Sequence, residues 1–461
     1  MRKPFIGSWR LLVAAILGTS MLALATSSVA SANFTSPYTE PCSGGEASGV
    51  TTGLQEPILG NWASQFVEED RTSPFSCAEK GPIVGFGAGT SLEALEAMGA
   101  SGGVRNPEVV FAGNEEPPTL AQWLAIDLGN KPGENSGLIR QIPVASTAVV
   151  PLVHIPAGCA IPAGEATEDG RFTVSNAVLE KAYAGEVATW GELLPGIESS
   201  CASTPIKRVV PEFSEGTTFV FEQWLNTIDT ARGWTKLANT EWPKDSGATA
   251  TVRAGLGDRR EAGLVAETNG SIGFASLPNA REEEFGNFSP KNRHHVSGRF
   301  WLSVVNGAGE RVEPTRDPNS GVDNVLGANC DNPTFNYVPS GYDTTVTPIW
   351  RAVSAAGSKT GWPICTLTYV MAWDDASTVY GNNNEIQAKQ RTVKDFVNYI
   401  LSSDGQEEAK NRDYSPLPAT LLEDAQEGAS RVGWDKIPGS KEEIEGSVKA
   451  AITSAAKHTK E

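Results

Sequence analysis

Strand-like and helix-like runs alternate along the chain and predict an α/β fold, with sheets mostly parallel. Two further observations agree. The 461 residues are 39% apolar, enough to bury a large core, and Gly 47 and Pro 29 supply the many turns that alternation needs. At about 150 residues per domain the length suggests two or three domains. Lys+Arg 37 against Asp+Glu 55 gives a net charge of −18. That acidity argues against nucleic acid and against an anionic membrane surface as main partners.

The first residues read as an address. Met1-Arg2-Lys3 and Arg10 are basic, Leu11 to Ala25 is apolar, and Ala30-Ser31-Ala32 fits a small-x-small cleavage site before Asn33. This pattern predicts a signal peptide over 1–32 and an exported chain: periplasmic, cell-surface-associated or extracellular. A transmembrane anchor fits less well, because the apolar run is short and ends at a cleavage site. No later run of about 18 apolar residues occurs, so no stable membrane insertion is expected. Cys42 follows Tyr38-Thr39-Glu40-Pro41, which is unlike a lipid-attachment stretch.

All six cysteines lie beyond the leader, at Cys42, Cys77, Cys159, Cys201, Cys330 and Cys365. An even count in an exported chain predicts three disulfides. Many pairings are possible; the one in chain order closes three loops of similar, moderate size and is favoured. A metal site is not expected. No CxxC occurs, and His154, His294, His295 and His458 lack ligand spacing.

Taken in order, strand-like runs lie at Pro82–Phe86, Val109–Ala112, Ala148–Ile155, Lys207–Val210, Ser271–Ser276, Phe300–Val305 and Thr366–Ala372. Between them Ser91–Met98, Leu120–Leu128, Ala177–Tyr183 (capped by Ser175 or Asn176), Thr217–Ile228 and Thr392–Leu401 space their apolar residues helically. Asn329–Gly361 and the tail from about Leu421 read as irregular, with an exposed helix over Lys441–His458.

The most informative segment is Arg208–Phe221, where a β-branched strand runs through Ser214-Glu215-Gly216-Thr217-Thr218 into an amphipathic helix. Free backbone N–H groups at a helix start, joined by hydroxyls, bind anions. On its own the segment also reads as an ordinary helix capped by Ser214. Gly85–Ser91 is a second glycine-rich turn between a strand and a helix, without a full GxGxxG. Ser48–Leu54 is a third. Three such turns, brought together, would hold a small ligand between two lobes.

These segments resemble the solute-binding proteins of high-affinity phosphate ABC transporters. Val209–Phe221 resembles the family's strand-to-helix segment, V-V-R-x-D-x-S-G-T-[TS]-F-V-F. Ala148–Gly158 resembles its strand entering the second lobe, and Leu179–Trp190 its L-x-x-I-Y-x-G-K-I-x-x-W helix. Asn269–Phe274 resembles its P-G-A-I-G-Y turn. Trp362-Pro363-Ile364 and Asp413–Pro418 match two late motifs. The six stand in family order and span residues 45–420. The resemblance implies a two-lobed type 2 periplasmic-binding-protein fold with a cleft between lobes and crossing hinge strands. Lobe 1 would be 33–145 plus 364–420, lobe 2 146–363, and 421–461 a partly helical C-terminal tail.

Carried over residue by residue, the ligand set is Thr52, Gly53 and Leu54 from the first loop, Ala88 in place of a serine (Thr90 and Ser91 nearby), Glu115 in place of an aspartate, and Glu215, Gly216 and Thr217 from the last. The family arginine aligns with Pro211, its aspartate with Phe213 and its serine with Glu215. Replacing a bidentate arginine by a carboxylate should cost a bound dianion about 3–5 kcal/mol. Arg140, Arg208, Arg253 and Arg260 are the cations that could re-enter the cleft.

Three readings follow. The first is an exported solute-binding protein of an ABC importer, binding phosphate or a related small oxyanion. The second keeps the fold but has lost phosphate, and recognises another ligand or a protein partner. The third is a hydrolase, weakened because adjacent Glu115 and Glu116 lack the separation that paired carboxylates need, and no GxSxG elbow occurs. No enzyme activity and no cofactor are expected, and a transporter permease is a possible partner.

Overall fold

A computed structural model describes residues 42–433 apart from 68–75, 78–80, 101–104, 130–134, 163–171, 235–241, 244–250, 256, 286–297, 315–329, 331–360 and 382; Val252 and Arg253 are described as backbone only. Most of the irregular stretch and the whole of Lys441–His458 therefore lie outside the described residues, as does the leader.

The strands are β1 Ala47–Thr52, β2 Val84–Gly89, β3 Phe111–Asn114, β4 Ile139–His154, β5 Lys207–Pro211, β6 Thr251–Ala254, β7 Ser271–Ser276, β8 Arg299–Trp301, β9 Val304–Val305, β10 Arg311–Val312 and β11 Cys365–Trp373. The helices are α1 Glu56–Phe66, α2 Ser91–Ala97, α3 Leu120–Leu128, α4 Asn176–Ala184, α5 Trp190–Leu193, α6 Ser199–Ala202, α7 Gly216–Ile228, α8 Asp258–Glu267, α9 Leu277–Glu282, α10 Ala376–Tyr380, α11 Asn384–Ile400, α12 Ser403–Asn411 and α13 Ala419–Arg431. The α/β expectation holds.

One curled sheet runs β2-β1-β3-β11-β4-β7-β5-β6, with β8 also on β4. Its ends are parallel: β1 with β2 and β3, and β5 with β6 and β7. Its middle is antiparallel, because β11 pairs with β3 and β4, and β4 with β7. The sheet is thus mixed, which corrects the mostly parallel expectation. Two long strands that return through the centre impose the reversal. Strand β4 changes partners midway: Ile139–Ala148 lies on β11 and Val149–His154 on β7. The sheet so divides into two halves, each with parallel strands and covering helices, joined by β4.

Helices begin where the local chemistry satisfies their first N–H groups. Thr90 and Thr119 build capping boxes with Glu93 and Gln122, and Ser175 caps α4 through Val178 N–H. Several expectations shift. Gly85–Gly89 is not a turn but part of β2, whose small residues pair with β1. Ser214 is not the α7 cap; Glu215 occupies that position without a side-chain cap bond. The segment from Leu421 is regular as far as Arg431, because Leu421, Ala425 and Ala429 bury one face of α13. The core holds Trp62, Trp123, Trp190, Trp224, Trp362 and Trp373 almost without exposure.

The disulfides are Cys42–Cys77, Cys159–Cys201 and Cys330–Cys365, the chain-order pairing. Among the described residues no helix is long and apolar enough to cross a membrane.

Candidate functional site

In open α/β sheets the crevice beyond the carboxyl ends of parallel strands is where ligands bind, since helix starts and loops converge there. Both halves of this sheet present such ends. Thr52 closes β1, Glu115 follows β3, Glu215 lies between β5 and α7, Gly257 between β6 and α8, Asp258 opens α8, and Asn279 on α9 follows β7.

The two sets of loops touch. The Asn279 amide donates to Gly53 O at 2.8 Å, across the sheet halves. A Cβ added to Gly53 would lie 2.6 Å from Asp258 N, so only glycine permits that approach. A Cβ added to Gly216 would lie 2.6 Å from Glu115 Oε2. The Thr52 hydroxyl donates to Glu115 Oε1, and Gly257 N–H donates to Glu215 Oε1 at 3.2 Å. Asp258 Oδ2 accepts from Ser276 N at 2.8 Å and from the Asn279 amide at 2.9 Å. Thr217 is buried and stands beside the Asp258 carboxyl, favouring its ionised form, yet Oγ1 completes no hydrogen bond. Beside these loops opens a cleft of about 360 Å³, lined in part by Gly53, Glu56, Gly257, Arg259, Arg260 and Glu283.

Of the sequence-derived set, Thr52, Gly53, Glu115, Glu215, Gly216 and Thr217 are therefore brought together. Leu54 is buried next to them, its carbonyl accepting from the Tyr414 hydroxyl of the late motif. Ala88 is not brought in: it is exposed on β2 opposite Thr51, with no described contact to the cluster. Asp258 and Asn279 were missed by sequence reasoning. The signal for Asp258 was a further glycine-rich passage, Gly255 to Gly257, after β6 and before α8.

Charge is what distinguishes the site. Glu115 and Glu215 are buried, and desolvation is the main cause that pushes each carboxyl up to about 8. For Glu115 the Thr52 hydrogen bond opposes that rise and Asp258 adds to it; for Glu215 both Asp258 and Glu115 add. Burial also raises Asp258, against the hydrogen bonds it accepts. Among the described residues none of the three carboxyls pairs with an arginine or lysine. Arg208 turns to Tyr183 O and Thr251 and Arg140 pairs with Asp374, whereas Arg260 lines the cleft and pairs there with Glu267. The Arg253 side chain lies outside the described residues. At neutral pH Glu115 and Glu215 are therefore largely protonated, neutral donors and acceptors beside Asp258 at a helix start. Among the described residues no group of histidine, cysteine and carboxylate side chains is arranged to hold a metal ion.

The fold has known counterparts. A phosphate-bound periplasmic phosphate-binding protein, PfluDING, superposes with TM-score 0.55 at 17% identity, covering 82% of this chain and 92% of that one. A human phosphate-binding apolipoprotein gives TM-score 0.55 at 17% identity, with 82% and 93% covered. A phosphate-binding protein from Stenotrophomonas maltophilia gives 0.50 at 13%, with 83% and 93% covered. At such identities the likeness establishes the fold. No curated protein matches the chain. The PBP superfamily domain matches residues 36–404, and by that match this chain belongs to the PBP superfamily, the two-lobed binding-protein fold.

Proposed function

We propose that this chain is an exported solute-binding protein of an ABC importer that closes on phosphate or a related small oxyanion between its lobes. Lobe 1 comprises 33–145 with 364–420 and lobe 2 146–363, a division supported by the change of partners along β4 at Ala148–Val149. The leader and the three disulfides support export.

The observation that carries the ligand reading is the contact of Gly216 with Glu115. It sets the start of α7 against the end of β3 and the Thr52 hydroxyl. The first N–H groups of a 13-residue helix have no intrahelical acceptor and carry the positive end of its dipole. A small oxyanion supplies acceptors for them and for the Thr217 and Thr218 hydroxyls, which complete no hydrogen bond among the described residues. The phosphate ligands named for the fold's solved counterparts agree with this class.

The buried acids Glu115, Glu215 and Asp258 favour a second reading, a ligand that is neutral or cationic, since any of them that ionises repels an anion. Calorimetric titration with phosphate, after unfolding and refolding to strip bound solute, decides. Micromolar or tighter binding supports the oxyanion; no heat and no thermal shift at millimolar phosphate supports the second reading.

A further inference from the structure

We infer that Glu215 is the specificity-determining residue of the interlobe site, and that its carboxyl, in the acid form, donates a hydrogen bond to the bound oxyanion. The inference rests on the oxyanion reading above and adds the group that sets the charge of the complex.

Geometry places the residue there. Glu215 is the N-cap of α7 but does not cap it; its side chain instead takes Gly257 N–H with Oε1. Oε2 makes no hydrogen bond among the described residues. The groups that face it are Glu115 from the end of β3, Asp258 at the start of α8 and Glu93 on α2, with Glu261 one turn beyond Asp258. All these are acids. An ionised Glu215 among them would be a buried charge with no counter-ion among the described residues, which burial strongly disfavours.

Unsatisfied donors point the same way. Thr218 is 0% exposed and its hydroxyl has no partner among the described residues; Thr217, 1% exposed, stands beside the Asp258 carboxyl without completing a hydrogen bond. Both belong to the first turn of α7, where the N–H groups also await acceptors. Buried hydroxyls take acceptors from the chain, from water or from a ligand, and a bound oxyanion would supply them here. An acceptor-rich ligand beside Glu215 then demands that this carboxyl carry its proton. Its pKa, pushed up to about 8 by burial and by Asp258, already holds that proton at neutral pH. A neutral acid donating to an oxyanion is chemically sound in an apolar site. The bound anion strengthens the effect, because it too disfavours ionisation of Glu215.

Proton and oxyanion therefore enter together above about pH 8. The test is calorimetry of the mature chain with inorganic phosphate from about pH 6.5 to about pH 9.5, in buffers of different ionisation enthalpy. Wild type is expected to take up protons on binding at alkaline pH and to lose affinity by up to about tenfold per pH unit above 8. Glu215→Gln keeps a donor but cannot titrate; it should flatten that profile and lower the proton count by about one. Thermal melts confirm that the variant is folded. A Gln variant with the wild-type profile and proton count overturns this inference and leaves the oxyanion reading standing. Wild type that binds phosphate without proton uptake at alkaline pH overturns it whatever the variant does. Phosphate binding at no pH overturns both.

Discussion

Gly216 opens α7 directly on Glu115: a Cβ there would lie 2.6 Å from Oε2 and 2.7 Å from the Glu115 Cβ. Residues a hundred positions apart thus close one site, and the absence of a side chain is what permits it.

Gly216→Ala should separate them. Because the clash includes the Glu115 Cβ and not only its flexible end, backbone must shift, at a cost of about 1–3 kcal/mol. The expected outcome is a melting temperature lower by several degrees and weaker phosphate binding, read by calorimetry.

Stability should fall as pH rises from about 4.5 to 8. Glu115 and Glu215 are pushed up to about 8, and Glu222, desolvated on α7 with neither oxygen partnered among the described residues, to about 9. The folded state then keeps protons that the unfolded chain releases above its ordinary carboxylate pKa. Stabilisation is therefore complete below that value and is lost through the window, by about 1.4 kcal/mol per pH unit for each group. Denaturant midpoints across pH measure the slope, and Glu222→Gln should make it shallower.

Arg281 should favour the closed form. It links α9 to the turn after α12, with Nε 2.9 Å from Asp413 Oδ1 and the guanidinium over the Trp301 ring. The angle falls outside hydrogen-bond geometry, so the contact is ionic. Arg281→Ala should weaken closure by about 1 kcal/mol or less, a few-fold in ligand affinity. Small-angle scattering would show a larger radius of gyration without ligand.

Removing Cys159–Cys201 by a paired alanine substitution should destabilise the chain by about 2–4 kcal/mol, since the bridge closes a 42-residue separation. Thermal melting checks it, and ligand affinity at low temperature should change little, because the bridge lies away from Glu115 and Glu215.

Much of the architecture was legible because it is local. Ser271–Ser276 is β7 as expected, Leu120–Leu128 is α3, and Ser175 caps α4. Misses also have local causes. Gly49 and Gly53 made β1 read as a turn, although Gly49 packs on the Phe111 ring. The first half of β4 was missed because Gln141, Pro143, Ser146 and Thr147 interrupt its apolar run, yet all are buried between β11 and the covering helices. Helix α1 escaped notice because Pro57 looks like a breaker, whereas in the first turn its missing N–H costs nothing.

By itself the sequence determined the order of strand, loop and helix, the even cysteine count, and the presence of Pro211 and Glu215 where a binding loop would gain from a cation. Tertiary structure alone decided that Glu115, Glu215 and Asp258 meet, that Arg140 and Arg208 turn elsewhere while Arg260 lines the cleft paired with Glu267, and that Ala88 stays outside. The reason is physical: propensity and periodicity act between neighbours in the chain, whereas a carboxyl's charge depends on burial and on which groups folding sets within a few ångströms.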